Sequence, residues 1–303
     1  MTTADGRAFR LGALMCTTSA ACYASLSILG KLAFSAGLSL TGMLSLRFAG
    51  AALVLAIVLA LLRRPMFPGS RPTGKLVLLG ALLYAPQAAL FFTGLQRLPA
   101  SIAVVLLYVY PVIVALFDWR MNGRLPGRRT TVAMGLALVG VVLTLYPQPT
   151  TSIDPVAALL VLASATGLSL YIVLSERAMR TAGSRVSAMW IVAGAGLSFT
   201  LVGGASGSLA WEVAFGEPAL VLALIVFGTV LPVTLFLAGV GRVGPTAASL
   251  LSTLEPVFTV ALGVIVLQET LSAVQVVGGA FVLGAAVLVA TRPVRRVEAL
   301  ATP

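Results

Sequence analysis

The sequence has no histidine at all, and only two of its 303 residues are cysteine. Without histidine there is no imidazole metal ligand, no histidine general base and no Ser–His or Cys–His nucleophile pair. Cys16 and Cys22 lie in one apolar run, where a helix would separate them by about 9 Å, beyond disulfide reach. No P-loop, dinucleotide-binding glycine motif or zinc-type cysteine spacing is present. We therefore predict that the protein uses no cofactor and no metal.

Charged residues are scarce as well. They make up 10% of the chain, whereas 59% is apolar and the mean hydropathy is +1.06. Soluble domains have about 25% charged and about 45–50% apolar residues, so this composition fits lipid as the solvent. The net charge of +11 would suggest a polyanionic partner for a soluble protein. In a membrane protein, basic loop residues instead determine orientation, and we predict no nucleic-acid partner.

Ten apolar stretches are each long enough to cross a bilayer as a helix, which takes about 20 residues. The breaks between them are rich in proline, glycine and arginine, and the stretches are too uniformly apolar for strands of a barrel. The predicted fold is therefore all-α and integral to the membrane, with ten transmembrane helices. The predicted spans are Leu11–Phe34, Gly42–Leu62, Leu76–Leu95, Ala100–Phe117, Thr130–Tyr146, Pro155–Ser175, Val186–Ala205, Ala219–Gly239, Pro245–Leu267 and Leu271–Ala290.

Lysine and arginine are distributed very unequally between the two sides that these spans define. With the N-terminus inside, the inner segments hold 17 of them and the outer segments hold two, Lys31 and Arg97. Cytoplasmic loops carry such an excess. The sequence thus predicts a multi-pass protein of the bacterial inner membrane with both termini in the cytoplasm.

The chain also contains an internal repeat. Residues Gly94–Leu116 align without a gap with Gly239–Ala261, 145 positions later, and Pro111 falls on Pro256. This divides the chain into two five-helix halves, 1–148 and 149–303. Because five is odd, the second half must enter the membrane upside down relative to the first, as in inverted-topology transporters. The arginine-rich loop after the fourth span has a partner without arginine, which carries Glu269.

At these residues the chain resembles the drug/metabolite transporter superfamily, in its EamA-type ten-helix branch. The resemblance rests on LPASIAVVLLYVYPVIVAL at Leu98–Leu116 and on Val243–Gly279, which begins VGPTAASLLSTLEP. It departs from the family pattern where Gln268–Glu269 replaces Gly–Glu and where Arg124 replaces the acid of the first half. Within the superfamily it is most similar to bacterial amino acid exporters, in particular the aromatic amino acid exporter group. The resemblance implies two inverted five-helix halves around a central cavity that opens alternately to each side.

Glu255 is the strongest candidate for a residue that takes part in transport. It lies in the middle of the ninth span, next to Pro256, where an acidic residue costs about 2.5–3.5 kcal/mol to insert. Removal from water disfavours a charged carboxylate, so Glu255 is a candidate for binding a substrate amine or carrying a coupling proton. The alternative is a structural carboxylate, neutralised by a basic neighbour or bonded to backbone groups beside the proline.

Other polar and aromatic side chains share helical faces that point toward a common interior. One such face consists of Ser252, Glu255 and Thr259, and the repeat partner of this face consists of Leu107, Tyr110 and Val114. The first face is polar and the second is apolar and aromatic. Together they suit a zwitterion with an apolar side chain. Ordinary packing is the better reading for Thr259 and Val114. Further faces are Tyr84, Gln87 and Phe91 beside Pro86, the partner group Thr229, Pro232 and Phe236, and Ser164, Leu168 and Tyr171. Interhelical hydrogen bonding explains these groups equally well. The substrate-binding candidates are Tyr84, Gln87, Phe91, Tyr110, Tyr171, Ser252 and Glu255.

Two basic residues and two groups of small residues complete the set. Lys31 and Arg47 lie near the outer breaks, where long basic side chains snorkel to the interface. The alternative is an outward gate or a partner for a substrate carboxylate. Gly194–Ala195–Gly196 and Gly278–Gly279 are interpreted as close-packing seams.

The function predicted from these features is secondary transport, because no nucleotide-binding motif is present. The expected activity is export of small organic metabolites, above all amino acids, by a monomer or weak dimer in the lipid bilayer. Uptake or facilitated exchange remains an alternative, since sequence does not determine direction. An intramembrane enzyme would need clustered catalytic groups, and a structural subunit would not need a mobile repeat. We predict that the protein is not an enzyme.

Overall fold

The computed structural model describes residues 3–98, 100–145, 154–209, 211–212, 216–267 and 272–291. Within these residues the chain is helical and contains no strand. We number the membrane-length segments α1 (Thr3–Ser35), α2 (Leu40–Leu61), α3 (Ser70–Leu95), α4 (Ala100–Leu107 and Tyr110–Asn122), α5 (Arg128–Leu145), α6 (Pro155–Ala182), α7 (Ser184–Ala205), α8 (Pro218–Val243), α9 (Pro245–Ser252 and Glu255–Leu267) and α10 (Ala273–Ala290). Of the described segments, nine meet the length and hydropathy needed to cross a membrane, and α9 is the interrupted tenth. The predicted all-α membrane fold is confirmed.

One clear difference from the predicted spans is at the end of α6, which continues to Ala182 rather than ending at Ser175. Its start is fixed by Asp154, whose side chain accepts hydrogen bonds from the backbone of Val156 and Ala157. Beyond Ser175 the residues are charged but favour helix. The helix therefore runs past the apolar stretch and ends at Gly183, whose φ of 72° few other residues adopt.

Two helices carry a π-helical turn immediately before a proline. In α3 the turn is Gly80–Tyr84, before Pro86, and in α8 it is Val226–Val230, before Pro232. A proline inside a helix has no N–H to donate, and its ring collides with the carbonyl four residues earlier. The wider turn absorbs this conflict while the helix continues.

Two other helices are interrupted at a proline instead. In α4 the break is Tyr108–Val109, before Pro111, and in α9 it is Thr253–Leu254, before Pro256. Both pieces of α9 begin 145 residues after the corresponding pieces of α4, which is the offset of the sequence repeat. The proline-linked irregularities therefore recur in the same helices of each half.

The contacts between helices also occur in pairs, in which each helix of one contact is replaced by its repeat partner from the other half. The pairs α2–α7 and α5–α10 each join one helix to its repeat partner. The contact of α1 with α8 corresponds to that of α6 with α3, and the contact of α4 with α6 corresponds to that of α9 with α1. Each half thus buries its apolar surface mainly against the other half, and the core is shared.

Small residues make these contacts close. A Cβ added at Gly140 would lie 2.8 Å from the Val282 backbone nitrogen and 2.9 Å from the Gly278 oxygen. A Cβ at Gly278 would meet the Thr144 nitrogen, so α5 and α10 are in backbone contact. Gly196 of α7 is similarly close to Ala49 of α2, at 2.7 Å from its nitrogen. Of the predicted seams, Gly194–Ala195–Gly196 and Gly278 pack closely, as expected for helices in lipid, whereas a Cβ at Gly279 would lie 4.0 Å from its nearest neighbour, Cγ1 of Val257.

We expect Gly278→Ala to destabilise the protein by about 1–3 kcal/mol, because the added methyl overpacks the α5–α10 contact. The matched control is Gly284→Ala on the same helix, where a Cβ meets nothing within 4 Å, so that only helix propensity changes. Thermal unfolding of the purified variants in detergent measures the difference. Equal stability of the two variants would show that this contact is not close-packed.

Candidate functional site in a central cavity

A cavity lies between seven helices and is lined by α1, α2, α3 and α4 of the first half and α6, α8 and α9 of the second. Its volume is about 170 Å³. Pockets that bury drug-sized ligands have volumes of about 300–1,000 Å³. The cavity therefore suits a smaller solute, and both halves of the chain are needed to form it.

The cavity is lined mainly by aromatic side chains. The chain has six tyrosines, and five of them line this cavity: Tyr23, Tyr84, Tyr108, Tyr110 and Tyr171. Phenylalanines of α3 and α8 add to the same surface. A tyrosine offers a flat apolar face together with one hydroxyl. The wall can therefore contact an apolar body and still donate or accept a few hydrogen bonds.

The tyrosines hold one another in fixed positions. The rings of Tyr84 and Tyr171 stack with centroids 4.6 Å apart, and the edge of Tyr84 meets Phe48 at 5.3 Å. The hydroxyl oxygens of Tyr23 and Tyr84 are 3.2 Å apart. On another part of the wall, the Tyr110 hydroxyl donates to the Ser249 carbonyl at 3.0 Å. This wall is organised before any ligand enters.

Glu255 is placed at the break in α9. It is the first residue of the second piece of that helix, where unpaired backbone N–H groups and the helix dipole favour a carboxylate. Its side chain is half-buried and lines the same cavity as Tyr108, which lies at the corresponding break in α4. Among the described residues no basic side chain lies within 4.0 Å of it. The two interrupted helices thus bring an acid and a phenol together.

All seven residues that the sequence analysis selected line this one cavity: Tyr84, Gln87, Phe91, Tyr110, Tyr171, Ser252 and Glu255. Their role in binding stays a prediction. Thr259, Val114 and Thr229 do not line it, although Leu107, Leu168 and Phe236 do. Ser164 is fully buried and donates to the backbone carbonyl of Gln87 at 2.7 Å, which is the interhelical bonding considered as its alternative.

The interfacial reading of Arg47 is wrong. Its side chain is only 4% exposed and lines the cavity, rather than reaching the membrane surface. The guanidinium lies 4.5 Å above the ring of Phe48, and such a contact contributes about 0.5–2 kcal/mol. Leaving a buried charge uncompensated costs about 3–5 kcal/mol, so the ring offsets only part of the burial. The side chain of Lys31 lies outside the described residues.

Tyr23 and Tyr108 are cavity tyrosines that the sequence analysis did not single out, and Arg47 entered it only as the alternative to an interfacial position. A signal for Arg47 was present, because it is the eighth residue of α2 and so about 10 Å along the helix. An arginine at that depth should face the protein interior. The tyrosines carried no comparable signal, since a single phenol in an apolar run is compatible with many environments.

A second polar cluster ties the arginine-rich ends of α4, α6 and α9 together. Asp118 is only 3% exposed and accepts hydrogen bonds from Asn122 at 2.8 Å and from Thr246 at 2.9 Å. Arg124 lies 3.7 Å from Asp118 and donates to Glu176 at 3.0 Å. Each carboxylate has a partner on another element, so this cluster joins helices of both halves.

The described part of the chain contains no group of three or more His, Cys, Asp or Glu that could hold a metal ion. The polar groups of the cavity are one carboxylate, one guanidinium, phenols, an amide and a serine hydroxyl. Such groups can bind and orient a small polar solute, and a single carboxylate can hold a proton.

Comparisons with known proteins agree with this architecture. The model of the EamA-like transporter family matches the chain twice, over residues 10–146 and 155–291, an offset of 145. The chain is 26% identical over 278 residues to the uncharacterized transporter YcbK of Bacillus subtilis (strain 168), covering 88% of each chain. It is 28% identical over 221 residues to the protein PecM of Dickeya dadantii (strain 3937), covering 71% of this chain and 73% of that one. A solved crystal structure has a TM-score of 0.74 at 20% identity, covering 91% of this chain and 95% of the other, and so shares the fold.

The cavity predicts a difference in labelling between two serines of α9. In a Cys16→Ala, Cys22→Ala background, Ser252→Cys should react with a small charged methanethiosulfonate reagent, because Ser252 lines the cavity. The matched control Ser249→Cys, one turn earlier, should not react, because Ser249 is fully buried. Mass spectrometry of the labelled protein reads out both. Equal modification would contradict a solute-accessible cavity at this position.

Proposed function

The chain belongs to the EamA-like transporter family and is a multi-pass membrane transporter rather than an enzyme, and we propose that it is a secondary transporter that exports amino acids. The observation that carries the proposal is the position of Glu255. An acidic side chain inside a membrane protein is costly unless it has a function or a partner, and this one faces a cavity between the two halves of the chain.

The nature of the cavity supports a small zwitterion with an apolar side chain as the substrate. Glu255 offers a counter-charge for an ammonium group, and the stacked rings of Tyr84 and Tyr171 offer a flat apolar surface. The aromatic wall favours aromatic amino acids, in keeping with a place in the aromatic amino acid exporter group.

One carboxylate also supplies a coupling mechanism. If Glu255 binds either a proton or the substrate ammonium, the two compete for the same group. A proton that binds from outside is released inside when the next substrate arrives, so outward movement of substrate is exchanged for inward movement of a proton. Tyr108 lines the same cavity, and a hydrogen bond donated by its hydroxyl to Glu255 would stabilise the charged form.

Alternating access follows in this proposal from two inverted five-helix halves, 1–148 and 149–303, whose boundary lies outside the described residues. The pairwise exchange of helix contacts supports a two-fold relation between the halves. The breaks in α4 and α9 and the π-helical turn in α3 border the cavity at weakened points of the helices, and the turn in α8 ends three residues before the lining residue Val233. These are the positions at which the helices would bend.

The proposed location is a bacterial inner membrane, with the arginine-rich loops and both termini in the cytoplasm. The termini lie outside the described residues. A monomer or weak dimer suffices, because one chain lines the whole cavity. Uptake or facilitated exchange is the alternative within transport, and a structural subunit would move no solute. Flux of labelled amino acids into and out of proteoliposomes distinguishes these possibilities.

We expect Glu255→Gln to reduce amino acid flux in proteoliposomes by at least about tenfold, since a hydrogen bond to a charged group contributes about 1.5–3 kcal/mol. Flux driven by a pH gradient should disappear in the same variant. The matched control is Glu217→Gln, which changes an exposed carboxylate without a side-chain cap bond at the start of α8. A Glu255→Gln protein with unchanged flux and pH dependence would remove this residue from the mechanism.

The inverted arrangement predicts that the loops after α4 and α9 lie on opposite sides of the membrane. Single cysteines at Gly127 and Glu269, in a background without native cysteine, test this in intact cells. A membrane-impermeant thiol reagent should label the cysteine at position 269 and should not label the cysteine at position 127. Glu269 lies outside the described residues. Labelling of both from the same side would overturn the inversion.

A further inference from the structure

Arg47 carries a buried positive charge that the protein does not neutralise. Its Nε and Nη1 atoms have no hydrogen-bond partner, and no carboxylate in the described part of the chain lies within 4.0 Å of its guanidinium. The described ion pairs, of Arg124 with Asp118 and Glu176 and of Arg180 with Glu176, show that other arginines of this protein do pair with carboxylates. Arg47 is therefore an exception that a packing role does not explain.

The surroundings of Arg47 hold the side chain in place but do not satisfy it. The stem passes Gly228 of α8, where an added Cβ would lie 3.8 Å from Cδ. The head lies over Phe48, at 4.5 Å from the ring centroid. An aromatic face attracts a cation but accepts none of its directional N–H bonds. The Nε and Nη1 donors of the guanidinium thus have no partner within the protein.

Arg47 and Glu255 line the same cavity without forming an ion pair. They lie on different helices, α2 and α9. Tyr23 and Tyr84, joined at their hydroxyls, belong to the lining between these elements. Two opposite charges held apart in one cavity form a two-point site for a solute that carries both charges.

We propose that Arg47 binds the carboxylate of the substrate and so determines specificity for carboxylate-bearing solutes over the corresponding amines. This rests on the proposed function, since it assigns one end of an amino acid to the cavity that Glu255 also lines. The planar guanidinium forms two parallel hydrogen bonds with a carboxylate, which a lysine ammonium does not reproduce. The apolar side chain of the solute lies against the tyrosine wall.

Three ligands with one common ring test this assignment in purified protein. They are L-phenylalanine, phenethylamine, which lacks the carboxylate, and 3-phenylpropionate, which lacks the amine. All three ligands should raise the thermal midpoint of the wild-type protein, and the shifts with L-phenylalanine and 3-phenylpropionate should depend on Arg47. In Arg47→Met both shifts should disappear while the shift with phenethylamine remains. The matched control is Arg97→Met, an exposed arginine, which should respond like wild type.

Arg47→Lys keeps the charge and covers the case in which Arg47→Met does not fold. It should weaken the binding of L-phenylalanine by about tenfold, because the bidentate geometry is lost. Phenethylamine binding should change by less than about twofold in the same variant. Equal weakening of all three ligands would assign Arg47 a structural role and overturn the inference. An unchanged response to 3-phenylpropionate in either Arg47 variant, or no response in wild type, would also overturn it.

Flux of labelled L-phenylalanine in proteoliposomes separates this inference from the proposed function. If the wild-type protein binds 3-phenylpropionate through Arg47 but moves no amino acid, the carboxylate site is supported and amino acid transport is contradicted. If Arg47→Met moves L-phenylalanine with an unchanged KM, the transport function is supported and the carboxylate site is contradicted.

Discussion

Lipid offers no hydrogen bonds to a polypeptide, so a backbone group freed inside the membrane must find a partner within the protein or in a cavity. Four prolines free such groups, one each in α3, α4, α8 and α9. All four of these helices line the same cavity. Because irregular backbone is not tolerated at the lipid surface, it is found in the helices that surround this cavity. The candidate site lies in the same cavity.

The charges of the cavity follow the same constraint. Glu255 is tolerated because it begins a helical piece, while Arg47 is tolerated because it lies over Phe48. Neither residue is fully compensated, and the two do not neutralise each other. A site that stored its charges as an internal ion pair would have to break that pair for each solute, whereas this one keeps both charges available.

Close packing elsewhere makes this arrangement rigid. The α5–α10 contact brings backbone to backbone through Gly140 and Gly278, and Gly196 does the same between α7 and α2. At the arginine-rich end, Asp118 joins α4 to α9 through Thr246. The cavity therefore lies among helices that are held firmly at their outer contacts.

The sequence by itself determined the solvent, the number of helices and the repeat, because apolar length and proline or glycine positions act locally along the chain. It also selected seven residues that line the cavity, since polar and aromatic residues at helical spacing in apolar spans have few other places to face. Tertiary structure alone decided that Arg47 lies inside, that Tyr23 and Tyr108 join the site, and that α6 continues to Ala182. The first two features depend on which helix covers a side chain, and the third depends on charged residues that extend a helix beyond the lipid. The hydropathy of the chain predicts neither.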